Sequence, residues 1–396
     1  MTSELSNFAA RLRERLLIPE GRTWNAEISG SQHLATDNSD ADFNALALEL
    51  FALQYAGNPV YRRVCEARRR PPEDVREWRD IPPMPTAAFK EFDLTCLPSE
   101  QRTHVFYSSG TTEQRPSRHF HSAESLALYE EALWPWFVPH VLPDFKLQIS
   151  NLKLVVLTPP PAQAPRSSLV HMFEIVRRRL GADESAFCGK LARDRAWELD
   201  LPQTLAHLRA AIESRIPLVL LGTAFSFVNL LDLLGEQNLR FKVPPGSRAM
   251  ETGGYKGRSR TLPKAGLHAL ITNRLGILPS HIVCEYGMSE LSSQAYNSVA
   301  GGEWRLTGDK TGSRHALPVT RHFRFPPWAR TQVISPETGR EVAEGETGLL
   351  RMFDLANVWS VMAIQTEDLA VRRGGGFELV GRTLLAEPRG CSLMSA

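Results

Sequence analysis

Residues 216–234, IPLVLLGTAFSFVNLLDLL, are the most apolar stretch of the chain, and few folds can accommodate them. Their length approaches a membrane span, but Pro217, Gly222 and Asn229 interrupt them. A buried strand over 217–221, a Gly-Thr turn and a helix from about Phe225 account for all three interruptions. The same unit recurs on either side. KLVVLTPPP is a short β-branched strand ending in a proline turn, followed by the helical SSLVHMFEIVRRRLG, with Gly181 as its C-cap. HALITNRLGI is helical, and HIVCEYGMSE is a strand running into a turn. Alternating strands and helices predict an α/β protein with a largely parallel sheet.

Around this centre the texture changes. Helical spacing covers residues 1–17 and 42–69, then three prolines in DIPPMPTAAFKEF force an extended path. ESLALYEEALWPWF reads as a helix beginning near Ser122. From about residue 320, short strands and turns indicate a smaller β-rich subdomain. Of 396 residues, 42% are apolar and 23% charged, and the net charge of +2 gives no reason to expect a nucleic-acid partner. The triplets Arg68–Arg70 and Arg177–Arg179 lie near acidic residues and read as solvated faces. Five scattered cysteines match neither a zinc site nor a disulfide framework, so reduced thiols and a cytoplasmic location are expected. The N-terminal SELSNFAARLRERLL lacks the apolar core of a secretion signal, and no membrane span is expected.

The segment FYSSGTTEQRPSRHFH, 106–121, places Ser108, Ser109, Gly110, Thr111 and Thr112 side by side. Such a run resists helix formation and makes a loop. It is either an ordinary polar turn or a cradle whose backbone N–H groups and hydroxyls hold phosphate oxygens. It is not a Walker loop, since no Gly-Lys-Ser/Thr follows. SSGTT resembles the phosphate loop of the adenylate-forming enzymes, the superfamily of acyl-CoA synthetases and adenylation domains. In that superfamily's order, ETGGY (251–255), YGMSE (286–290), GETGLL (345–350), TEDL (366–369) and GR (381–382) resemble its further motifs. More narrowly, IPPMPTAAFKEF, SRH (117–119), SSLVHM (167–172) and GGYKG (253–257) resemble the LuxE-type acyl-protein synthetases.

That resemblance implies an α/β core over 1–320, a β-rich subdomain over 321–381 completing the nucleotide site, and a tail, 382–396, where larger relatives carry a lid domain. It implies ATP and Mg²⁺, an acyl-AMP intermediate and an acyl-accepting partner protein. Ser108 to Thr112 would hold the β- and γ-phosphates, and Gly253 and Gly254 would let adenine lie against the backbone. Tyr286 would stack on adenine, with core packing as its other reading. Asp368 ends the apolar strand WSVMAIQTED, where an unpaired charge is costly, and by resemblance it accepts from both ribose hydroxyls. Glu290 is the expected Mg²⁺ ligand, or else a solvent-facing glutamate at a helix start. Arg382 reaches a phosphate or ribose oxygen, or forms a surface salt bridge. His119 stands near the substrate or is structural, and Lys90 and Lys256 are lesser candidates. Ala224 and Phe225 line a pocket for an apolar acid, aliphatic or aromatic. Cys391, in the tail EPRGCSLMSA, matches the family's acyl-accepting cysteine.

Two departures stand out. Glu113 replaces the glycine that usually follows the loop, adding negative charge near a triphosphate. The lid lysine that assists adenylation has no counterpart after Arg382. The leading expectation is ATP-dependent acid activation with transfer to a protein. A CoA or carrier-protein ligase and a non-catalytic scaffold subunit are its alternatives.

Overall fold

The computed structural model describes residues 2–16, 38–108, 115–143, 152–181, 185–193, 196–254, 259–297 and 322–382. Helices run in chain order as α1 (Thr2–Leu16), α2 (Asn38–Gly57), α3 (Pro59–Ala67), α4 (Ala88–Glu91), α5 (Ala123–Val141), α6 (Ser168–Leu180), α7 (Leu201–Ser214), α8 (Ala224–Glu236) and α9 (Lys264–Leu275). The strands are β1 (Met84–Pro85), β2 (His104–Tyr107), β3 (Arg118–His121), β4 (Lys153–Val156), β5 (Ala186–Phe187), β6 (Gly189–Leu191), β7 (Trp197–Leu199), β8 (Leu218–Thr223), β9 (Arg248–Thr252) and β10 (Ile282–Tyr286). They continue as β11 (Ala295–Tyr296), β12 (Ala329–Ile334), β13 (Thr347–Asp354), β14 (Ala363–Arg373) and β15 (Gly376–Arg382).

Residues 216–234 fold as β8 and α8, and among the described residues no helix is long and apolar enough to cross a membrane. β8 lies in a six-stranded sheet of order β11-β10-β9-β8-β4-β5, parallel throughout except for the β10–β11 pair. Alternation along β8 explains its continuous apolarity. Leu218 and Leu220 enter the cluster built on α7, α8 and α9, while Val219 and Leu221 enter the one built on α5 and α6. The strand runs two residues further than its expected end at 221, and the helix starts at Ala224 with no intervening turn. Thr223 both ends the strand and caps the helix, its hydroxyl accepting from Ser226 N at 3.0 Å. Gly222 stays in the strand, where a Cβ would press on Leu157 at 3.0 Å.

The helix expected over 42–69 is two helices. The apolar spacing is alike on both sides of the break, but Pro59 has no N–H to continue the ladder. It opens α3 instead, where Asn58 caps by accepting from Tyr61 N at 3.1 Å. Ser122 caps α5 and Gly181 closes α6 at φ +57°, both as the sequence predicts.

The second sheet has order β1-β14-β13-β12, with β15 also on β14. It is antiparallel except where β1 joins β14 in parallel, pairing Met84 with Ile364. Its core joins the two ends of the chain, packing Phe8, Leu50 and Phe51 with Leu350, Phe353 and Ile364. Gln54, fully buried, donates to the Asn357 and Val358 carbonyls and accepts from Met362 N.

Candidate active site

The carboxyl end of β10 and the turn after it meet the second sheet, through Tyr286 with Asp368 and Ser292 with Asp354, and strand ends of this kind are the usual place for a ligand in an open α/β fold. β9 runs into Gly253 and Gly254. Gly253 sits at φ +72°, a conformation that favours glycine, and a Cβ on Gly254 would meet nothing within 4 Å. β10 ends at Tyr286, whose ring packs edge-on to Phe377 at 5.3 Å and beside Phe323 at 6.0 Å. Its hydroxyl donates to Asp368 Oδ2 at 2.7 Å. Asp368 and Arg382 are cross-strand partners on β14 and β15, and Arg382 Nε donates to Asp368 Oδ1 at 2.6 Å. Tyr286, Asp368 and Arg382, separately expected at the nucleotide, therefore form one hydrogen-bonded chain. Asp368 is buried and Arg382 is one-quarter exposed, so this is no surface salt bridge. Each carboxylate oxygen accepts more than one bond, so Asp368 keeps acceptor capacity beyond its two protein donors. The packed ring and bonded hydroxyl of Tyr286 are what its core-packing reading expects.

Glu290 follows in the turn after β10 and is 1% exposed, which removes the solvent-facing alternative. Its Oε2 accepts from Ser289 Oγ at 3.0 Å, and its carbonyl accepts from Asn357 Nδ2 at 2.9 Å. His119 Nδ1 lies 2.8 Å from the Ser289 carbonyl. A carbonyl only accepts, so Nδ1 carries the hydrogen and Nε2 is the basic nitrogen of the neutral ring. Burial pushes the His119 pKa down to about 4, against the opposing pull of the Ser289 carbonyl and Glu290, so the ring is neutral at physiological pH.

His119 lies on the hairpin of β2 and β3, which carries the Ser/Thr/Gly segment. The neck of that segment is closed by Ser108 N donating to the Ser117 carbonyl at 3.1 Å and Ser117 N to Ser108 Oγ at 2.8 Å. Ser109, Gly110, Thr111, Thr112, Glu113, Lys256 and Cys391 lie outside the described residues. Ala224 packs into the apolar cluster of α7, α8 and α9, whereas Phe225, also buried, belongs to none of the three clusters.

Several residues at this seam were not singled out by sequence. Asp354, at the end of β13, accepts from Ser292 N, Ser293 Oγ and Ala356 N at 2.7–3.0 Å, which ties the turn after β10 to the second sheet. Burial, only partly offset by these bonds, pushes its carboxyl up to about 6. Ser117 and His121 join the expected His119 at alternate positions entering and along β3, and all three are buried. That period-two pattern is present in SRHFH and was the available signal. Glu285, a charge inside the apolar HIVCEY strand, was another.

A parallel α/β sheet facing a second, mostly antiparallel sheet across a buried Tyr–Asp–Arg chain defines an adenylate-forming ligase fold. Solved structures of 2-hydroxyisobutyryl-CoA ligase share it. The post-adenylation state with 2-HIB-AMP matches 92% of this chain and 71% of that one, at TM-score 0.60 and 15% identity. The open conformation with 2-HIB-AMP and CoA matches 86% and 70%, at TM-score 0.58 and 15% identity. The chain belongs to the LuxE family of acyl-protein synthetases, whose pattern matches residues 28–396, and it is a ligase of the acid–thiol type. It is 22% identical over 364 residues to the long-chain-fatty-acid–luciferin-component ligase of Aliivibrio fischeri, covering 89% of this chain and 87% of that one. The protein of the same name from Vibrio harveyi is 23% identical over 358 residues, covering 87% and 84%.

Proposed function

We propose that the protein uses ATP to activate a carboxylic acid with an apolar body and passes the acyl group, through a thioester on its own cysteine, to a partner protein. In the first step a carboxylate oxygen attacks the α-phosphorus, the bond to the β-phosphate bridge breaks, and pyrophosphate leaves. In the second a thiolate attacks the acyl carbon and AMP departs with the electron pair. The observation that carries this reading is the chain Tyr286–Asp368–Arg382, set beside Gly253 and Gly254 at the strand ends. It offers a flat aromatic face, an acceptor for ribose hydroxyls and a cation for phosphate at one edge. The name shared by the two bacterial relatives supports an aliphatic acid.

The remaining residues take roles that fit this chemistry. Ser108, and with it Ser109, Gly110, Thr111 and Thr112, would hold the terminal phosphates. Buried Glu290 is a hard oxygen donor suited to Mg²⁺, a cation that keeps most of its waters and substrate oxygens as ligands. When bound, the ion neutralises charge on the triphosphate. His119, neutral and fastened to Ser289, positions the Glu290 turn against the hairpin. The described cysteines Cys65, Cys96, Cys188 and Cys284 are all free thiols, which suits a reducing cytoplasm.

The thiol step is assigned to Cys391 by the likeness of its tail to the family's. Cys391→Ala is expected to retain exchange of pyrophosphate into ATP but to lose the hydroxylamine-sensitive acyl-enzyme seen by intact mass. A Cys391→Ala protein that still becomes acylated would move the assignment to direct transfer onto CoA or a carrier protein.

A further inference from the structure

Four residues stand shoulder to shoulder across the carboxyl edge of the parallel sheet. Thr223 on β8 pairs in register with Thr252 on β9, Thr252 with Glu285 on β10, and Glu285 with Tyr296 on β11. They continue the sheet face that carries Leu221, Met250 and Val283, all apolar and packed under α5 and α6. The row thus ends an apolar wall in hydroxyls and a carboxyl. Glu285 and Tyr286 are neighbours on one strand and point to opposite faces. The row therefore lies one residue from Tyr286, at the same strand end.

The row is built, and among the described residues one hydroxyl in it has no partner. Thr252 Oγ1 donates to Glu285 Oε2. The other oxygen folds against Gly287, where a Cβ would fall 2.3 Å from it, so glycine makes room for the carboxyl at the strand end. Tyr296, 1% exposed and directly opposite Glu285, has no hydrogen-bond partner for its hydroxyl among the described residues. An unpaired buried hydroxyl is costly, and nearly all such groups have partners. Burial, with Glu251 assisting and Thr252 and Lys264 opposing, pushes the Glu285 carboxyl up to about 7, so the group can present either an acceptor or a proton to whatever meets it.

Resting on the acid-activating reading, we infer that Glu285 and Tyr296 are specificity-determining residues that select an acid carrying a second, hydrogen-bond-donating group on its body. A hydroxyl or amine there donates to Glu285 and, in the case of the hydroxyl, accepts from Tyr296. A plain alkanoate would leave the buried Tyr296 hydroxyl without a partner among the described residues and give Glu285 no donor beyond Thr252, the kind of arrangement that makes hydrogen-bonding sites reject analogues lacking the group.

The test is pyrophosphate exchange with matched pairs of acids: octanoate and its ω-hydroxy derivative, hexanoate and its ω-amino derivative, phenylpropanoate and its ring-hydroxylated derivative. The expected result is a preference of roughly tenfold or more in kcat/KM for a substituted member. Tyr296→Phe removes one oxygen and should lower the kcat/KM ratio of a hydroxylated acid to its unsubstituted partner. Glu285→Leu should reverse the preference for either kind of substituent. If Glu285→Leu fails to fold, Tyr296→Phe decides a hydroxyl preference, and Glu285→Gln, which keeps shape and loses charge, decides an amine preference. A preference for the unsubstituted member of every pair, or a ratio unmoved by these variants, overturns the inference while leaving acid activation standing. Absence of exchange with both members of every pair overturns acid activation and the inference with it.

Discussion

The two sheets hold their site residues by different means. The second sheet offers Asp368 and Arg382 from within strands, as direct partners in the β14–β15 ladder, so backbone hydrogen bonds set their separation. The parallel sheet offers Gly253, Gly254 and Glu290 from turns just beyond its strand ends, where no ladder reaches. Those turns are held by side chains instead. Asn357 and Asp354 reach from the second sheet to Glu290, Ser292 and Ser293, and His119 reaches from the hairpin to Ser289. A ladder residue therefore fails by losing chemistry in a standing frame. A turn residue fails by losing its frame.

The strongest way to break this contrast is Asp368→Asn. The ladder should keep the fold, since the backbone pairing with Arg382 does not involve the side chain. An amide cannot replace a charge-assisted acceptor, each such bond being worth about 1.5–3 kcal/mol. ATP affinity by calorimetry should fall about a hundredfold with the melting temperature little changed. Unaltered nucleotide binding in the folded variant would take Asp368 out of the site.

Acid should expose the turn side next. His119 and His140 are pushed down to about 4 by burial, and His121 falls well below its usual value from burial and the neighbouring His119, His104 and His171 rings. The unfolded chain takes up these protons near pH 6.5 and the folded one does not, so their contribution to stability is lost as pH falls from about 6.5 toward 4. Glu285 and Asp354, raised to about 7 and about 6, act in the opposite sense, and their contribution disappears as pH rises through those values. His119→Gln keeps a donor for the Ser289 carbonyl and removes the titration. It should recover on the order of 2 kcal/mol of stability at pH 4 relative to pH 7, compared with the parent. An identical acid limb in thermal unfolding would show that His119 does not shape it.

The smallest effect separates the adjacent glycines. Gly253→Ala places a side chain at positive φ and should cost about 1 kcal/mol of stability. Gly254→Ala meets no described neighbour, so stability should hold within about half a kcal/mol while ATP binding weakens if the base lies there. Equal losses of stability in both variants would contradict the difference in backbone conformation.

How much of this could be read beforehand follows from the range of each interaction. The βα alternation is local, and the sequence predicts β8, α8, α6 and the Gly181 cap to within a few residues. Resemblance to the motifs of adenylate-forming enzymes marked Tyr286, Asp368 and Arg382 individually. Their union into one hydrogen-bonded chain was illegible, because Tyr286 and Asp368 are 82 residues apart and meet only when two sheets face each other. The helix break at Asn58 was hidden by apolar spacing that continues across it, although Pro59 announced it. The Thr223–Thr252–Glu285–Tyr296 row needed a register, and register is a property of paired strands, never of one.

Strand β1 has a consequence for how the protein is made. Residues 84–85 lie in the same sheet as β14 and β15, and Gln54 satisfies its amide on the backbone at 357, 358 and 362. A ribosome delivers these partners hundreds of residues apart, at about 5–20 residues per second. Phe8, Leu50, Phe51 and Tyr61 must then wait, uncovered, through most of synthesis for the sheet that buries them. The parallel sheet between them gathers its strands from a single central stretch and can close first. The nascent N-terminal helices thus lack part of their core until the last strands emerge.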